Sequence, residues 1–299
     1  MRHSAHHGKF RHVLVGMWRV VLGLAIVILI LVILKRTSTF GDESAIPKKI
    51  WTYWNSDELT PVVTKCINSW KKYNPNYEVK IVTPTNLNQY IDFDVKKVKF
   101  NDSAARESDI IRLNILAKYG GVWCDASILM TRPFDFPTNS KHEFVGYYIE
   151  HYTTKPQWPC IEGWFFATVP NGKLVVKWRD SFMSIANFDS VNDYIDDLQK
   201  KGVDFQKTQL SMLNYLAINL AAQDAMQKGM NVDDIKNTCY FMSANKGPYK
   251  HMYDHGWNNY NAVKSVCKPN QPTIVKFHNH DRKLLDTKPE LDCVFKGHE

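Results

Sequence analysis

Cysteine is scarce in this 299-residue chain, six residues in all, and no two of them stand in a CxxC or zinc-binding spacing. That excludes a disulfide-dense mini-scaffold and a zinc ribbon. Internal repeats, low-complexity tracts and Gly/Ser linkers are missing too, so one large domain is the simplest organisation of residues 46–299. Acidic side chains are absent from residues 1–36, which hold six Lys and Arg. The formal charge of +8 looks like a nucleic-acid signal until that segment is set apart, because the remaining residues carry 32 basic against 30 acidic side chains. A nearly neutral remainder gives no basis for a nucleic-acid partner. With 44% hydrophobic and 13% aromatic residues, disorder is excluded as well.

The basic N-terminus surrounds an apolar run. Val20–Leu34 has no polar side chain over 15 residues, and Val13–Met17 extends it upstream past Trp18 and Arg19. At about 1.5 Å per residue, Val13–Leu34 is long enough to cross a bilayer as a helix, with Arg19 able to snorkel. A cleaved signal peptide is the alternative. Lys35-Arg36-Thr37 is no small-x-small cleavage site, which favours an uncleaved anchor. The expected organisation is a basic tail at 1–12, a transmembrane anchor at 13–34, a short stem at 35–45 and a folded domain at 46–299. Basic residues flank the span on both sides and do not decide its orientation. A single-pass membrane protein is expected, type II and Golgi-like if the source is eukaryotic, with the bilayer as a partner.

The domain reads as alternating strands and helices. Lys49–Trp54 is aromatic and β-branched and predicts a strand. Pro61 opens a helix with Val63, Cys66, Ile67, Trp70 and Tyr73 at three- and four-residue spacing, stopped by Asn74-Pro75-Asn76. Tyr77–Val82 alternates as a second strand, and Ser103 caps a helix carrying Ile110, Leu113, Leu116 and Ala117. Gly120-Gly121 ends it, and Val122–Ala126 follows as a buried strand. Later, Glu162–Ala167 and Thr273–Phe277 read as strands, Val191–Lys200 and Gln209–Ala222 as helices. The β-α-β-α-β order predicts an α/β fold, a mixed and mostly parallel sheet flanked by helices and preceded by one N-terminal transmembrane helix. Ligands of such sheets gather at the carboxyl ends of the strands.

Asp109 and Arg112 stand three apart on a helix and share a face, which alone signifies an ordinary surface ion pair. Asp125 changes the weighting. It ends a hydrophobic strand just after a Gly-Gly turn, where a carboxylate needs a partner, either a divalent cation on phosphate oxygens or Arg112.

The set Ser108-Asp109-x-x-Arg112, Leu116, Tyr119-Gly120-Gly121, Trp123 and Asp125 resembles the DXD-motif glycosyltransferases, specifically family 32 and its capsular polysaccharide synthesis relatives. The opening Ile46-Pro47-Lys48-Lys49-Ile50-Trp51-Thr52-Tyr53-Trp54 is similar to that family's first strand. The resemblance covers roughly residues 46–135. It implies a GT-A fold, a UDP- or GDP-hexose donor, a glycan, glycolipid or polysaccharide acceptor, and transfer with retention. By position it implies that Asp109 binds donor-sugar hydroxyls, Arg112 the sugar and diphosphate, and Asp125 the ribose and metal, with Trp54 stacking on the base. Tyr53, Gly120, Gly121, Ser127 and Lys276 complete the expected donor-binding set.

The sequence departs from that pattern in one place. Ser127 stands where the second Asp of DXD is expected, giving Asp-Ala-Ser, and a hydroxyl is a poor ligand for Mn²⁺ or Mg²⁺. Either Asp125 takes over, or ligands come from elsewhere, or cationic side chains suffice. His278 and His280, delivered after Thr273–Phe277, are the further metal candidates, weighed equally against a polar turn. The alternative function is a catalytically inactive, glycan-binding or scaffolding relative, which Ser127 favours. Glu162 either faces an acceptor or, as expected of a strand-end glutamate, the surface. Tyr147, Tyr148, Tyr152 and Trp158 read mostly as packing. Gly247-Pro248-Tyr249 resembles an element near the diphosphate, or is a plain turn. Cys66 and Cys124 read as small core residues, while Cys239, Cys267 and Cys293 have the option of pairing in an oxidising compartment.

Overall fold

The computed structural model describes residues 45–134 and 142–298. The expected tail, anchor and nearly all of the stem lie outside them. No helix among the described residues is long and apolar enough to cross a membrane. One compact unit spans Ser44–Glu299.

Six strands form the central sheet: β1 (Lys49–Tyr53), β2 (Glu78–Val82), β3 (Gly121–Cys124), β5 (Phe144–Tyr148), β6 (Ile161–Thr168) and β7 (Cys239–Ser243). Their order is β2-β1-β3-β6-β5-β7, and β4 (Ile128–Met130) pairs separately with β8 (Ile274–Lys276). Three of the five pairings in the large sheet are parallel. β6 is the exception, antiparallel to both β3 and β5. It is buried along its whole length because it is a central strand covered on both faces.

The first helices start and stop where their end residues dictate. In α1 (Pro61–Tyr73), Thr60 accepts the Val63 N–H, and the Asn74 side chain turns back to donate to Trp70 O at 3.2 Å. In α2 (Ala104–Tyr119), the Ser103 hydroxyl accepts the Arg106 N–H at 3.2 Å, and Gly120 closes the far end. Gly120 and Gly121 both have positive φ. A Cβ on Gly121 would stand 2.7 Å from Lys49 O, so these glycines let β1 and β3 pair closely behind the helix. Then follow α3 (Lys173–Met183), α4 (Val191–Lys200), α5 (Ala217–Gly229), α6 (Val232–Thr238), α7 (Lys250–Asp254), α8 (Asn259–Ser265) and α9 (Asn279–Thr287). The helix expected at Gln209–Ala222 is instead a single 3₁₀ turn, Leu210–Met212, followed by α5.

Strand alternation sorts the core. Trp51, Tyr53 and Trp123 face a cluster with the α2, α3 and α5 residues Leu113, Trp178 and Ala221. Ile50, Val122 and Cys124 face the opposite one, with Val63, Ile67 and Trp70 of α1. A third cluster seats β8 and the C-terminal turns on Val62 and Cys66, through Val275, Phe277 and Phe295. Cys267 and Cys293 form a disulfide across this last region, while Cys239 is free and buried, as are Cys66 and Cys124.

Candidate active site

β1 has β2 on one flank and β3 on the other, so the chain changes direction across it. Such a reversal opens a crevice beyond the carboxyl ends of the strands. Tyr53, Trp54 and Asp125 leave β1 and β3 at that point, and all three line a cavity of about 1350 Å³. This exceeds the roughly 300–1,000 Å³ typical of one drug-sized ligand, leaving room for two substrates.

Charge organises one wall. Arg112 Nη1 lies 3.4 Å from Asp109 Oδ1, and its Nη2 lies 3.2 Å from Asp125 Oδ1. The same guanidinium donates to Ser108 Oγ at 3.0 Å and lies over the Trp123 ring. The Trp123 indole N–H donates to Asp125 Oδ1 at 2.9 Å, and Lys276 Nζ donates to Asp125 Oδ2 at 2.7 Å. α2 is buried on several sides, and the Asp109 side chain is only 13% exposed, so the pair is not the surface bridge its spacing alone suggests. Gly163 on β6 gives the guanidinium its space, since a Cβ there would meet Arg112 Nη1 at 3.0 Å.

The carboxyls respond differently to burial. It pushes Asp109 up to about 6, with Arg112 opposing and the Asp125 charge adding to the rise. Asp125 is half-buried, and although burial acts in the same direction on it, Lys276 and Arg112 and the hydrogen bonds from Lys276 and Trp123 hold it below the usual carboxylate range. Glu162 corrects an expectation. It is buried in the same cavity and not at the surface, because the strand it stands on is central in the sheet. Burial pushes its carboxyl up to about 7, with the Lys276 and Arg112 charges opposing and the Asp125 charge adding to the rise.

Other expected donor-binding residues also reach the cavity. The Trp54 ring carries the Arg282 guanidinium at 5.8 Å, and burial followed by nearby Glu107 raises the Tyr53 hydroxyl. Ser127 is buried, with its hydroxyl donating to Phe277 O at 2.9 Å and lying 3.4 Å from Lys276 Nζ. Gly120 and Gly121 do not line the cavity; they face Pro170, Thr168, Lys49 and Trp51, where the sheet closes.

The metal candidates do not come together. His278 lines the cavity with its ring stacked on Tyr249 at 5.2 Å, and its Nδ1 faces Asp281 Oδ2 at 3.3 Å. His280 is exposed and outside the cavity, because it stands on the solvent side at the start of α9. Among the described residues, no three His, Cys, Asp or Glu side chains are placed to share an ion. The donor set therefore fits Mn²⁺ or Mg²⁺ poorly: Asp125 already faces two cationic side chains, and position 127 offers a neutral hydroxyl in place of a carboxylate.

Of an aromatic wall in the cavity, the sequence pointed only to Tyr249, through Gly247-Pro248-Tyr249. Tyr249, Tyr253 and Trp257 line the cavity, with Trp257 5.2 Å from Tyr253 and 5.8 Å from Tyr249. Trp257 is 44% exposed and has φ +62°, directly after Gly256 at +56°. A non-glycine residue held in that region is strained, and such strain gathers at functional sites. For Trp257 the one available signal was the Gly256-Trp257 pair. Of the aromatics considered in the sequence, Tyr152 lines the cavity, whereas Tyr147 stacks on Trp164 at 5.6 Å.

The sequence model of the capsular polysaccharide synthesis protein family matches residues 32–268. The chain belongs to that family. Asp109, Arg112, Asp125 and Ser127 fall within the matched stretch of this family member; Lys276, His278 and Arg282 fall beyond it. The O-glycosyltransferase braB of Annulohypoxylon truncatum is 24% identical over 160 residues, 46% of this chain and 37% of the relative. The subversion of eukaryotic traffic protein A of Legionella pneumophila subsp. pneumophila is 29% identical over 121 residues, 31% of this chain and 19% of the relative. The family member thus spans well under half the length of either curated relative. Among solved structures, the PaToxG glycosyltransferase aligns with a TM-score of 0.37 at 17% identity, covering 64% of this chain and 80% of that one.

Proposed function

We propose that this protein is a glycosyltransferase that moves a hexose from a nucleotide sugar, UDP- or GDP-linked, to a glycan, glycolipid or polysaccharide acceptor. The observation that carries this is the convergence of Asp109, Arg112 and Asp125 in one cavity beyond the ends of β1 and β3. Family membership and the glycosyltransferase named among the relatives support it. Trp54 would stack on the base, and Asp109 and Glu162 would take sugar hydroxyls. Arg112, Lys276 and Arg282 would face the diphosphate. As the anomeric bond stretches, charge builds on the leaving diphosphate, and these fixed cations stabilise it in a site partly closed to water. Retention would follow from front-side substitution, with the departing phosphate taking the acceptor proton. The aromatic wall of Tyr253 and Trp257 would offer an apolar face to the acceptor ring. The apolar stretch at 13–34 would hold the domain at a bilayer.

A panel of UDP- and GDP-sugars tests this, with release of free nucleotide as the readout. Release from at least one donor, lost in Asp109→Asn, is expected. Silence across the panel from a folded protein would favour the scaffolding alternative.

A further inference from the structure

Resting on the glycosyltransferase function proposed above, we infer that Lys276 occupies the seat of the divalent cation, so that this chain binds its nucleoside diphosphate without metal. The resemblance leads one to expect two carboxylates two residues apart and a doubly charged ion between them. Here one of the two carboxylates is Ser127, and one positive charge, the Lys276 ammonium, lies between the two positions. It is 2.7 Å from Asp125 Oδ2 and 3.4 Å from Ser127 Oγ. Two negative charges with a 2+ ion, or one with an ammonium, leave the same local balance. The substitution at 127 and the lysine at 276 therefore read as two halves of one exchange.

The ammonium is also held in place. β8 pairs Lys276 with Ile128, next to Ser127, and the Lys276 backbone N–H donates to Pro248 O at 3.2 Å. Its side chain is only 9% exposed, and its Nζ lies 5.9 Å from the centre of the Trp164 ring. Ser127 in turn donates to Phe277 O, one residue beyond the lysine, so it has no second proton with which to compete. Because Lys276 lines the cavity, the ammonium proton not directed at Asp125 or Ser127 can meet a phosphate oxygen. No bond is made or broken by the lysine; it positions and neutralises.

The full chain in detergent, with UDP, GDP and MnCl₂ as probes, tests this. Calorimetry should give a nucleotide affinity that changes by less than about threefold between EDTA and excess Mn²⁺, well short of a tenfold step. Electron paramagnetic resonance of Mn²⁺ with the protein and no nucleotide should show only the free aqueous ion. Lys276→Ala should weaken nucleotide binding by about 10- to 100-fold, the loss of one charge-assisted contact, with Lys276→Arg recovering part of it. Ser127→Asp combined with Lys276→Ala should bind one Mn²⁺ per chain and lose nucleotide in EDTA.

Stoichiometric Mn²⁺ binding by the unaltered chain, or nucleotide binding that disappears in EDTA, would overturn the inference and leave the proposed function standing. So would full nucleotide affinity in Lys276→Ala, or a double variant blind to Mn²⁺. Failure of both nucleotides to bind under every condition would sink the proposed function, and this inference with it.

Discussion

At the scale of single residues, the cavity holds carboxyls in opposed states. Asp109 at about 6 and Glu162 at about 7 both lie above their ordinary values, with burial the leading cause. A raised carboxyl binds its proton more tightly in the folded chain than in the unfolded one, so stability falls as pH rises from the unfolded value to the folded one. From these two groups, unfolding free energy should decline between about pH 4 and pH 7, by roughly 3 kcal/mol for each. Asp109→Asn and Glu162→Gln together should flatten that decline in denaturant titrations across the range. An unchanged slope would show that neither group is buried as described. Asp125 behaves in the opposite way, because its removal strands two cations. Asp125→Asn should lower stability by about 2 kcal/mol, or a few degrees in melting temperature, besides abolishing turnover. Gly163→Ala offers a finer probe. Its methyl would press on Arg112 Nη1 and Ile218, so kcat should drop at least about tenfold while the melting temperature moves by only about 2–4 °C.

At the scale of elements, the disulfide encloses β8 and α9, and with them Lys276, His278 and Arg282. A bridge closing 26 residues stabilises by about 3–4 kcal/mol through loop entropy. Cys293→Ser should lower the melting temperature by several degrees, and nucleotide affinity should fall with it as one cavity wall loosens. Unchanged affinity would show that packing on Val62 and Cys66 alone seats that wall.

Elements also explain what the sequence disclosed. β1, α1, β2, α2 and β3 were legible because local signals agree: the Thr60 and Ser103 caps, the helical spacing of Val63, Cys66, Ile67 and Trp70, and the Gly120 stop. Asp109, Arg112 and Asp125 were legible through those elements. The antiparallel direction of β6 was not, since it depends on pairing with β3 and not on its own residues. Glu162 was misjudged for the same reason. Trp257 and its aromatic neighbours lie among short helices and turns, where no periodicity announces a shared wall. Gly120 and Gly121 were given a ligand role because a glycine pair beside a site looks the same whether it admits a phosphate or a neighbouring strand.

At the scale of the whole molecule, the unit Ser44–Glu299 carries every residue of the cavity. A chain lacking residues 1–43 should therefore remain folded and bind nucleotide with the affinity of the full chain, which calorimetry would check. Loss of binding on truncation would give the N-terminal segment a part in the site.

The bond between Asp125 and Lys276 joins positions 151 residues apart. During synthesis the early strands and α2 emerge long before their cationic counterpart. A translation product arrested ahead of β8 would hold Asp125 next to Arg112 alone, without its second countercharge. Such a fragment would lack the countercharge that meets Asp125 Oδ2, so the charged wall is completed only after β8 has emerged and paired with β4.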